Sequence, residues 1–291
     1  MSVRTLSTVE EVEIPALDGF VLAGTIFHPT SNANGAVIVI SSATAVPRGF
    51  YRRFAQYFAD VGYRVLTYDY RGIGESRPKS LKGFEAKMRD WGELDMRGVL
   101  DWVHETLQPT KLFHVGHSVG GQVVGLLPNH HLIDGMVTFS AQSGYWGYQP
   151  GSEKVRAWLF VTIVFPLLTR VMGYLPFSKM SSGEDLPKGV ALEWSKWCRN
   201  KGYLMGDKTL EAVKNFGGFR APILAFSASD DVWGSERSVN VMMGNYTGTQ
   251  VERRHLEPKA LGLKKIGHVG YFSPQAKESV WAEVVEWLGE R

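Results

Sequence analysis

The pattern of hydrophobic and polar positions divides the chain into short apolar runs and longer segments of predicted helix. A continuous apolar run, which is typical of a strand buried on both faces of a parallel sheet, occupies residues 36–40. Further strands are predicted over residues 63–68, 111–116, 133–140 and 221–227. Helices are predicted over residues 50–61, 88–107, 119–129, 235–243 and 274–288. Because strands alternate with helices, the chain is predicted to be an α/β protein with a mostly parallel central sheet and helices on both faces.

Three further segments complete the predicted organisation. Residues 12–16 and 21–28 form two strands around a Leu17-Asp18-Gly19 turn, and a last strand covers 249–256. Between residues 144 and 205 the alternation stops, and Trp, Tyr, Phe and Pro accumulate. The sequence therefore predicts a core formed by residues 1–143 and 206–291, interrupted by an insertion over 144–205.

Composition and charge narrow the possible partners and the expected location of the protein. Hydrophobic residues make up 44% of the 291 residues, which is enough for a large core. The net charge is only +3 and no basic block is interleaved with aromatic residues, so nucleic acid is not an expected partner. Cys198 is the single cysteine, and residues 1–13 contain no apolar run of the kind that a secretory signal needs. We therefore expect a cytoplasmic protein without an intrachain disulfide.

One serine lies in a setting that is typical of a nucleophile. Ser118 follows the predicted strand at 111–116 and precedes a helix, within the pattern Gly116-His117-Ser118-Val119-Gly120. The two glycines leave room for a strained turn, and the N–H groups at the start of the helix can receive negative charge. The alternative is a solvated serine in a glycine-rich turn.

A serine nucleophile needs a base and an acid that orients the base. The predicted strand at 221–227 ends in Asp230 and Asp231, and we favour Asp230 as the orienting acid, with Asp231 as a capping or turn residue. His268 is the expected base, because it lies in a glycine-bounded loop between the last strand and the last helix. His117 is expected to be structural, since its ring should point away from the hydroxyl of Ser118.

Backbone N–H groups should stabilise the oxyanion that forms when a serine attacks a carbonyl. The N–H of Val119, the residue after the serine, is one expected donor. The second should come from the loop after the 36–40 strand, with Thr44 as the first choice and Ala43 as the second. The Ser and Thr hydroxyls of this loop could instead cap the following helix.

These motifs together resemble the α/β-hydrolase superfamily, in particular bacterial serine esterases and monoacylglycerol-lipase-like hydrolases. The matching stretches are Gly116 to Gly121, Asp69-Tyr70-Arg71-Gly72-Ile73-Gly74-Glu75-Ser76, Ser229 to Val232, and Gly267-His268-Val269-Gly270. The resemblance implies a catalytic set of Ser118, Asp230 and His268, with no metal and no organic cofactor. Many members carry His-Gly after the third strand, where this chain has Ser42-Ala43.

In this architecture an insertion at residues 144–205 usually forms a lid over the site. The apolar run at 157–172 is shorter than the about 20 residues that a membrane span needs, contains Pro166 and is bracketed by Arg156 and Arg170. We expect a lid helix over an apolar cleft and no transmembrane segment, with contact at a membrane interface as the alternative. Cys198 is expected to be a packing residue.

The expected function is hydrolysis of a small-molecule carboxylic ester with an apolar acyl or alkyl group, through an acyl-enzyme. An acyltransferase, a thioesterase or an amidase could use the same residues, and a non-catalytic binding protein on this fold is a further alternative. The oligomeric state is not set by the sequence, and a homodimer is compatible with it.

Overall fold

An eight-stranded sheet forms the centre of the protein in a computed structural model that describes residues 8–30 and 32–291. The strands, in chain order, are β1 (Val9–Pro15), β2 (Val21–Phe27), β3 (Val37–Ser41), β4 (Arg64–Tyr68), β5 (Leu112–His117), β6 (Gly135–Phe139), β7 (Tyr174–Leu175), β8 (Leu186–Pro187), β9 (Ile223–Ala228) and β10 (Val251–Leu256). Residues 1–7, on which the expectation about a signal sequence partly rests, and Ser31 lie outside the described part.

The order of strands in the large sheet is β1-β2-β4-β3-β5-β6-β9-β10. The pairs from β4 to β10 are parallel, and only β1–β2 and β2–β4 are antiparallel. The remaining strands, β7 and β8, form a small antiparallel pair of their own. The predicted fold class, a mostly parallel sheet in an α/β protein, is confirmed. Parallel strands end at the same edge, so the loops that follow β3, β5, β6 and β9 meet there.

Both faces of the sheet are covered, as the continuous apolar runs predicted. In β3, Val37 and Val39 pack into one buried cluster, whereas Ile38 and Ile40 pack into another on the opposite face. Alternate side chains of a strand point to opposite faces, so two clusters on one strand require helices on both sides.

The α-helices that the structure describes are α1 (Arg52–Asp60), α2 (Met88–Asp90), α3 (Arg97–Trp102), α4 (Val119–Gln122), α5 (Glu153–Leu159), α6 (Phe165–Met172), α7 (Lys188–Cys198), α8 (Glu236–Met243) and α9 (Ala282–Gly289). The predicted helix over 88–107 is one helical segment in which π-helical turns follow α2 and α3. The last helix begins with short 3₁₀ and π-helical turns over 274–281.

The helix after Ser118 is shorter than predicted. The α-helix ends at Gln122, and a 3₁₀ turn continues only to Leu126, whereas the sequence suggested a helix to about residue 129. Glycine is unfavourable inside a helix, and because it has no side chain it lets other groups approach the backbone closely. A Cβ built at Gly125 would lie 2.3 Å from the ring of Phe216, so the backbone approaches that ring closely.

The segment 144–205 lies between β6 and β9 and carries α5, α6, α7 and the small β7–β8 pair. An ion pair fastens it to the core, because the guanidinium of Arg89 donates to Glu193 on α7. The same guanidinium lies 3.2 Å from Asp207, which also accepts hydrogen bonds from Lys196 and Trp197. The charged contacts therefore hold α7 against the helical segment that begins at α2.

Within the insertion, residues 153–172 form one continuous helical segment from α5 through a π-helical turn to α6. It has 20 residues, and an 18-residue window within it has a mean hydropathy of 1.6, so by length and composition alone it could cross a membrane. Pro166 is accommodated near the start of α6.

Candidate active site

Ser118 occupies a strained turn between β5 and α4. Its backbone angles are φ 51° and ψ −117°, a conformation that non-glycine residues rarely adopt. The turn needs its small neighbours, because a Cβ at Gly120 would lie 2.2 Å from the carbonyl oxygen of Ser41, and one at Gly116 would lie 2.5 Å from Gly121 Cα. The sequence pattern thus places one serine at the carboxyl edge of the parallel sheet, at the start of a helix.

The imidazole of His268 contacts Asp231. Its Nδ1 lies 2.9 Å from Oδ2 of that carboxylate, which is buried at the turn after β9. Since a carboxylate can only accept, Nδ1 carries the proton and Nε2 is left as an acceptor. An imidazole in this tautomer can take a proton from a hydroxyl.

The preference for Asp230 over Asp231 is wrong about this contact. The carboxylate of Asp230 accepts hydrogen bonds from the backbone N–H groups of Ile266 and Gly267, at 3.0 and 2.8 Å. Adjacent side chains in the turn point apart, so one carboxylate fastens the backbone of the loop and the other reaches the ring. Asp230 therefore holds the backbone just before His268 in place without contacting its imidazole.

Asp231 is held by residues that the sequence analysis did not single out. The hydroxyl of Ser140, at the end of β6, donates to Oδ2 at 2.6 Å, and the N–H of Trp233 donates to Oδ1 at 2.9 Å. Tyr271 lies 3.0 Å from the Ser140 hydroxyl. Ser140 has a positive φ of 48°, so a second strained turn lies at the same edge of the sheet.

The hydrogen bonds keep Asp231 ionised. Burial raises the pKa of its carboxyl, but the charge of His268 and hydrogen bonds from His268 and Ser140 outweigh burial and hold the pKa below its usual range. A carboxylate that stays ionised can hold the imidazole in one tautomer and stabilise it when it gains a proton.

His268 is also tied to the residue next to Ser118. The ring of His117 lies 5.2 Å from the ring of His268, and its Nε2 lies 2.7 Å from the carbonyl oxygen of His268. Within the described residues, no hydrogen bond joins Ser118 Oγ to the His268 ring. The structure thus brings the two residues to one edge of the sheet, and it shows the Asp231–His268 contact but not a direct contact with the serine hydroxyl.

His117 is structural, and its hydrogen bonds have a defined direction. Burial, reinforced by the charge of His268, lowers the pKa of His117 to about 3, so the ring is neutral. Its Nε2–H donates to the His268 carbonyl, so Nδ1 accepts from the hydroxyl of Tyr51 at 2.8 Å. The same hydroxyl accepts from the N–H of Ala43 at 2.9 Å. A buried chain of hydrogen bonds therefore links the loop after β3 to the loop that carries His268.

The hydrogen bond between Ala43 and Tyr51 corrects one predicted oxyanion donor. The N–H of Ala43 is already bonded to Tyr51, so it is not free to bind an oxyanion. The N–H groups of Thr44 and Val119 donate no such hydrogen bond: within residues 8–30 and 32–291, neither has a hydrogen-bond acceptor. Val119 N–H is free because it opens α4, where the first N–H groups of a helix lack intrahelical partners.

We expect Tyr51→Phe to lower the free energy of unfolding by about 1–3 kcal/mol, because two buried groups, His117 Nδ1 and Ala43 N–H, lose their partner. Tyr57→Phe, in the α1 helix that begins directly after Tyr51, is the matched control, since the Tyr57 hydroxyl has no hydrogen bond within the described residues. Urea unfolding measures both variants. Equal stability of the two variants would show that the Tyr51 hydroxyl contributes nothing.

Potential metal ligands are not grouped in the described part of the chain: no three His, Cys, Asp or Glu side chains there are placed to hold one ion. Cys198 is buried, and burial raises the pKa of its thiol, which fits the packing role expected for it.

Comparison with known proteins decides the family. A family model described as serine aminopeptidase, S33, a hydrolase family, matches residues 32–257. The chain belongs to this S33 hydrolase family. The chain therefore has the α/β-hydrolase fold, and the expected resemblance is confirmed. The matched region of the S33 hydrolase includes Ser118, Asp230 and Asp231 and ends before His268.

Solved structures similar to this S33 hydrolase include esterases and a peptidase. An esterase of Pyrococcus furiosus has a TM-score of 0.63 at 18% identity, covering 98% of this chain and 91% of that chain. An esterase of Exiguobacterium antarcticum has a TM-score of 0.61 at 16% identity, covering 96% and 100%. The acylaminoacyl peptidase of Pyrococcus horikoshii has a TM-score of 0.60 at 15% identity, covering 98% and 42%. At these identities the similarity shows the fold alone.

Curated relatives match over a shorter region. Two proteins from strains of Mycobacterium tuberculosis, both named as uncharacterized, are 30% identical over 121 residues. The match covers 40% of this chain and 40% of each relative.

Proposed function

We propose that this hydrolase cleaves carboxylic esters through an acyl-enzyme on Ser118, with His268 as the base and Asp231 as the acid that orients it. The observation that carries the proposal is the Asp231–His268 hydrogen bond of 2.9 Å, in a loop tethered to the residue preceding a strained serine. Its membership of a hydrolase family supports the coarser part of the proposal, that the protein is a hydrolase.

The proposed reaction has two halves. His268 Nε2 takes the proton of the Ser118 hydroxyl as Oγ attacks the ester carbonyl, and the proton then passes to the leaving alcohol. In the second half, the same nitrogen takes a proton from water, the resulting hydroxide attacks the acyl carbon, and Ser118 Oγ leaves as the proton returns to it. Asp231 stabilises the imidazolium that forms in both halves.

We assign the oxyanion hole to the N–H groups of Val119 and Thr44. Both are free of other acceptors in the described part of the chain. Thr44 lies in the loop after β3, and Val119 is the first residue of α4, one residue after the end of β5. Donors that are already oriented cost no reorganisation when negative charge develops on the carbonyl oxygen.

Aromatic residues of the insertion support an apolar acyl or alkyl group. Phe165, Phe177 and Trp194 pack together, with ring centroids between 5.7 and 6.3 Å apart. This cluster adjoins the proposed oxyanion loop, because a Cβ at Gly183 would lie 3.2 Å from Phe177 and 3.0 Å from Ala45. Apolar walls beside the reacting carbonyl would favour long acyl chains over acetate.

We also propose that segment 144–205 acts as the lid. The backbone N–H of Glu184 donates to the carbonyl oxygen of Ala45 at 2.8 Å, and the Glu184 carboxylate accepts the N–H of Gly74 at 2.8 Å. One residue of the insertion thus joins the proposed oxyanion loop to the 69–76 loop of the core.

A panel of p-nitrophenyl esters of increasing chain length, with matched thioesters and aminoacyl anilides, tests the proposal. We expect ester cleavage with kcat/KM rising by about tenfold or more from acetate to medium chains, since each buried CH₂ contributes about 0.8 kcal/mol. Preference for acetate would contradict the apolar cleft. Faster cleavage of anilides than of esters would instead assign the peptidase activity that the family description names.

A further inference from the structure

The helical segment 153–172 exposes an apolar face that the proposed chemistry does not use. Val155, Leu159, Ile163, Leu167 and Val171 recur every four residues, and with Trp158 they are between 40% and 76% exposed. We call these six residues the exposed apolar face. An apolar surface of this kind marks a site of contact with a protein or a membrane.

The opposite side of the same segment is packed into the protein. Ala157, Val161, Phe165 and Thr169 also recur every four residues, and all four are buried. Phe165 stacks on Trp194 of α7, with ring centroids 5.7 Å apart. The segment is therefore apolar on both sides. One side is packed against the rest of the protein, and the other faces solvent.

Charges around the exposed apolar face are almost all positive. Lys154, Arg156 and Arg170 lie within the segment and are exposed, and no acidic residue occurs from residue 154 to residue 183. Lys82 of the core adds a fourth cation at the far end, because a Cβ at Gly173 would lie 3.4 Å from its side chain. Arg156 approaches only Glu153, at 3.4 Å, among described acidic groups.

We propose that this face docks onto an anionic lipid surface, with the helix lying along the interface. An apolar stripe that carries Trp and is bordered by Lys and Arg is the pattern of an interfacial helix. A second copy of this chain is a poorer occupant, because a symmetric contact of the face with itself would bring cations against cations. Docking does not depend on the proposed ester cleavage.

The helix lies on the lipid surface and does not cross it. To span the bilayer, Val161 and Phe165 would have to leave the core cluster and the ring of Trp194. Lying in the interface instead places the exposed apolar face among acyl chains while the buried face keeps its contacts. The cations then meet lipid phosphates.

Flotation with ether-linked phospholipid vesicles tests this proposal, because such lipids carry no ester bond that the enzyme could cleave. We expect the full chain to float with vesicles that contain phosphatidylglycerol, to bind phosphatidylcholine vesicles more weakly, and to be released by salt. Failure to float with either kind of vesicle would overturn the proposal, whatever the activity toward esters.

Variants separate the apolar and the electrostatic contributions. Leu167→Gln with Val171→Gln should weaken partitioning by about tenfold or more. The matched control is Leu17→Gln with Val61→Gln, two exposed apolar residues elsewhere, and it should bind as the unaltered chain does. Arg156→Gln with Arg170→Gln should remove most of the preference for anionic vesicles, about fivefold for each charge. Equal binding of the face variant and its control, or a self-association that the face variant abolishes without any flotation, would contradict docking to lipid.

Discussion

Replacing Asp231 by asparagine is expected to lower kcat for ester hydrolysis by about 10⁴-fold, because an amide holds the imidazole in the wrong tautomer. In the structure the Asp231 carboxylate accepts the Nδ1 proton of His268, so Nε2 faces away as a base. An asparagine could donate to Nδ1 and would leave the proton on Nε2. Initial rates with a p-nitrophenyl ester measure the effect, and KM should change far less than kcat.

Asp230→Asn is the matched control, since it makes the same chemical change one residue away. Asp230 binds two backbone N–H groups of the 266–267 loop and no ring nitrogen. One acceptor oxygen survives in the amide, so we expect kcat to fall by less than about tenfold, with a loss of about 1–2 kcal/mol in the free energy of unfolding. The reverse order, with Asp230 the more damaging site, would restore the assignment that the sequence favoured.

The strongest effect is expected at Ser118. Ser118→Ala should lower kcat by about 10⁶-fold, because no other group in the proposed mechanism can form the acyl-enzyme. Stability should barely change, since the Ser118 hydroxyl has no hydrogen bond within the described residues. Ester assays and thermal melting measure the two effects on the same sample.

A second serine provides the control for that experiment. Ser143 is also buried, and its hydroxyl has no hydrogen-bond partner in the described part of the chain. Ser143→Ala should keep full activity. Residual turnover of Ser118→Ala at more than about one per cent of the unaltered rate would contradict covalent catalysis at this residue.

Much of the fold follows from the sequence because buried parallel strands need continuous apolar runs. The runs around Ile38 and Val115 became β3 and β5, and the glycines beside Ser118 marked the strained turn. The short helix after Ser118 was less predictable. Its end depends on contact between Gly125 and the distant ring of Phe216, which no local pattern reveals.

The candidate site was only partly predictable, for a similar reason. Motif and spacing placed Ser118 and His268 at the same edge of the sheet. The choice between Asp230 and Asp231 depends on side-chain direction in a turn, which spacing does not give. Tyr51 and His117 meet across 66 positions of the chain, and the hydrogen bond that occupies Ala43 follows from that contact. Ser140 had one usable signal, its position as the last residue of a predicted strand, at the carboxyl edge of the sheet.

Reaction with a fluorophosphonate tests the central claim most directly, because this reagent phosphonylates a serine that a neighbouring base has activated. Intact mass and peptide mapping should show one adduct per chain on Ser118, formed much more slowly in His268→Ala and Asp231→Asn than in Asp230→Asn. An unmodified Ser118, or an adduct formed equally fast without the imidazole of residue 268, would contradict the proposed site.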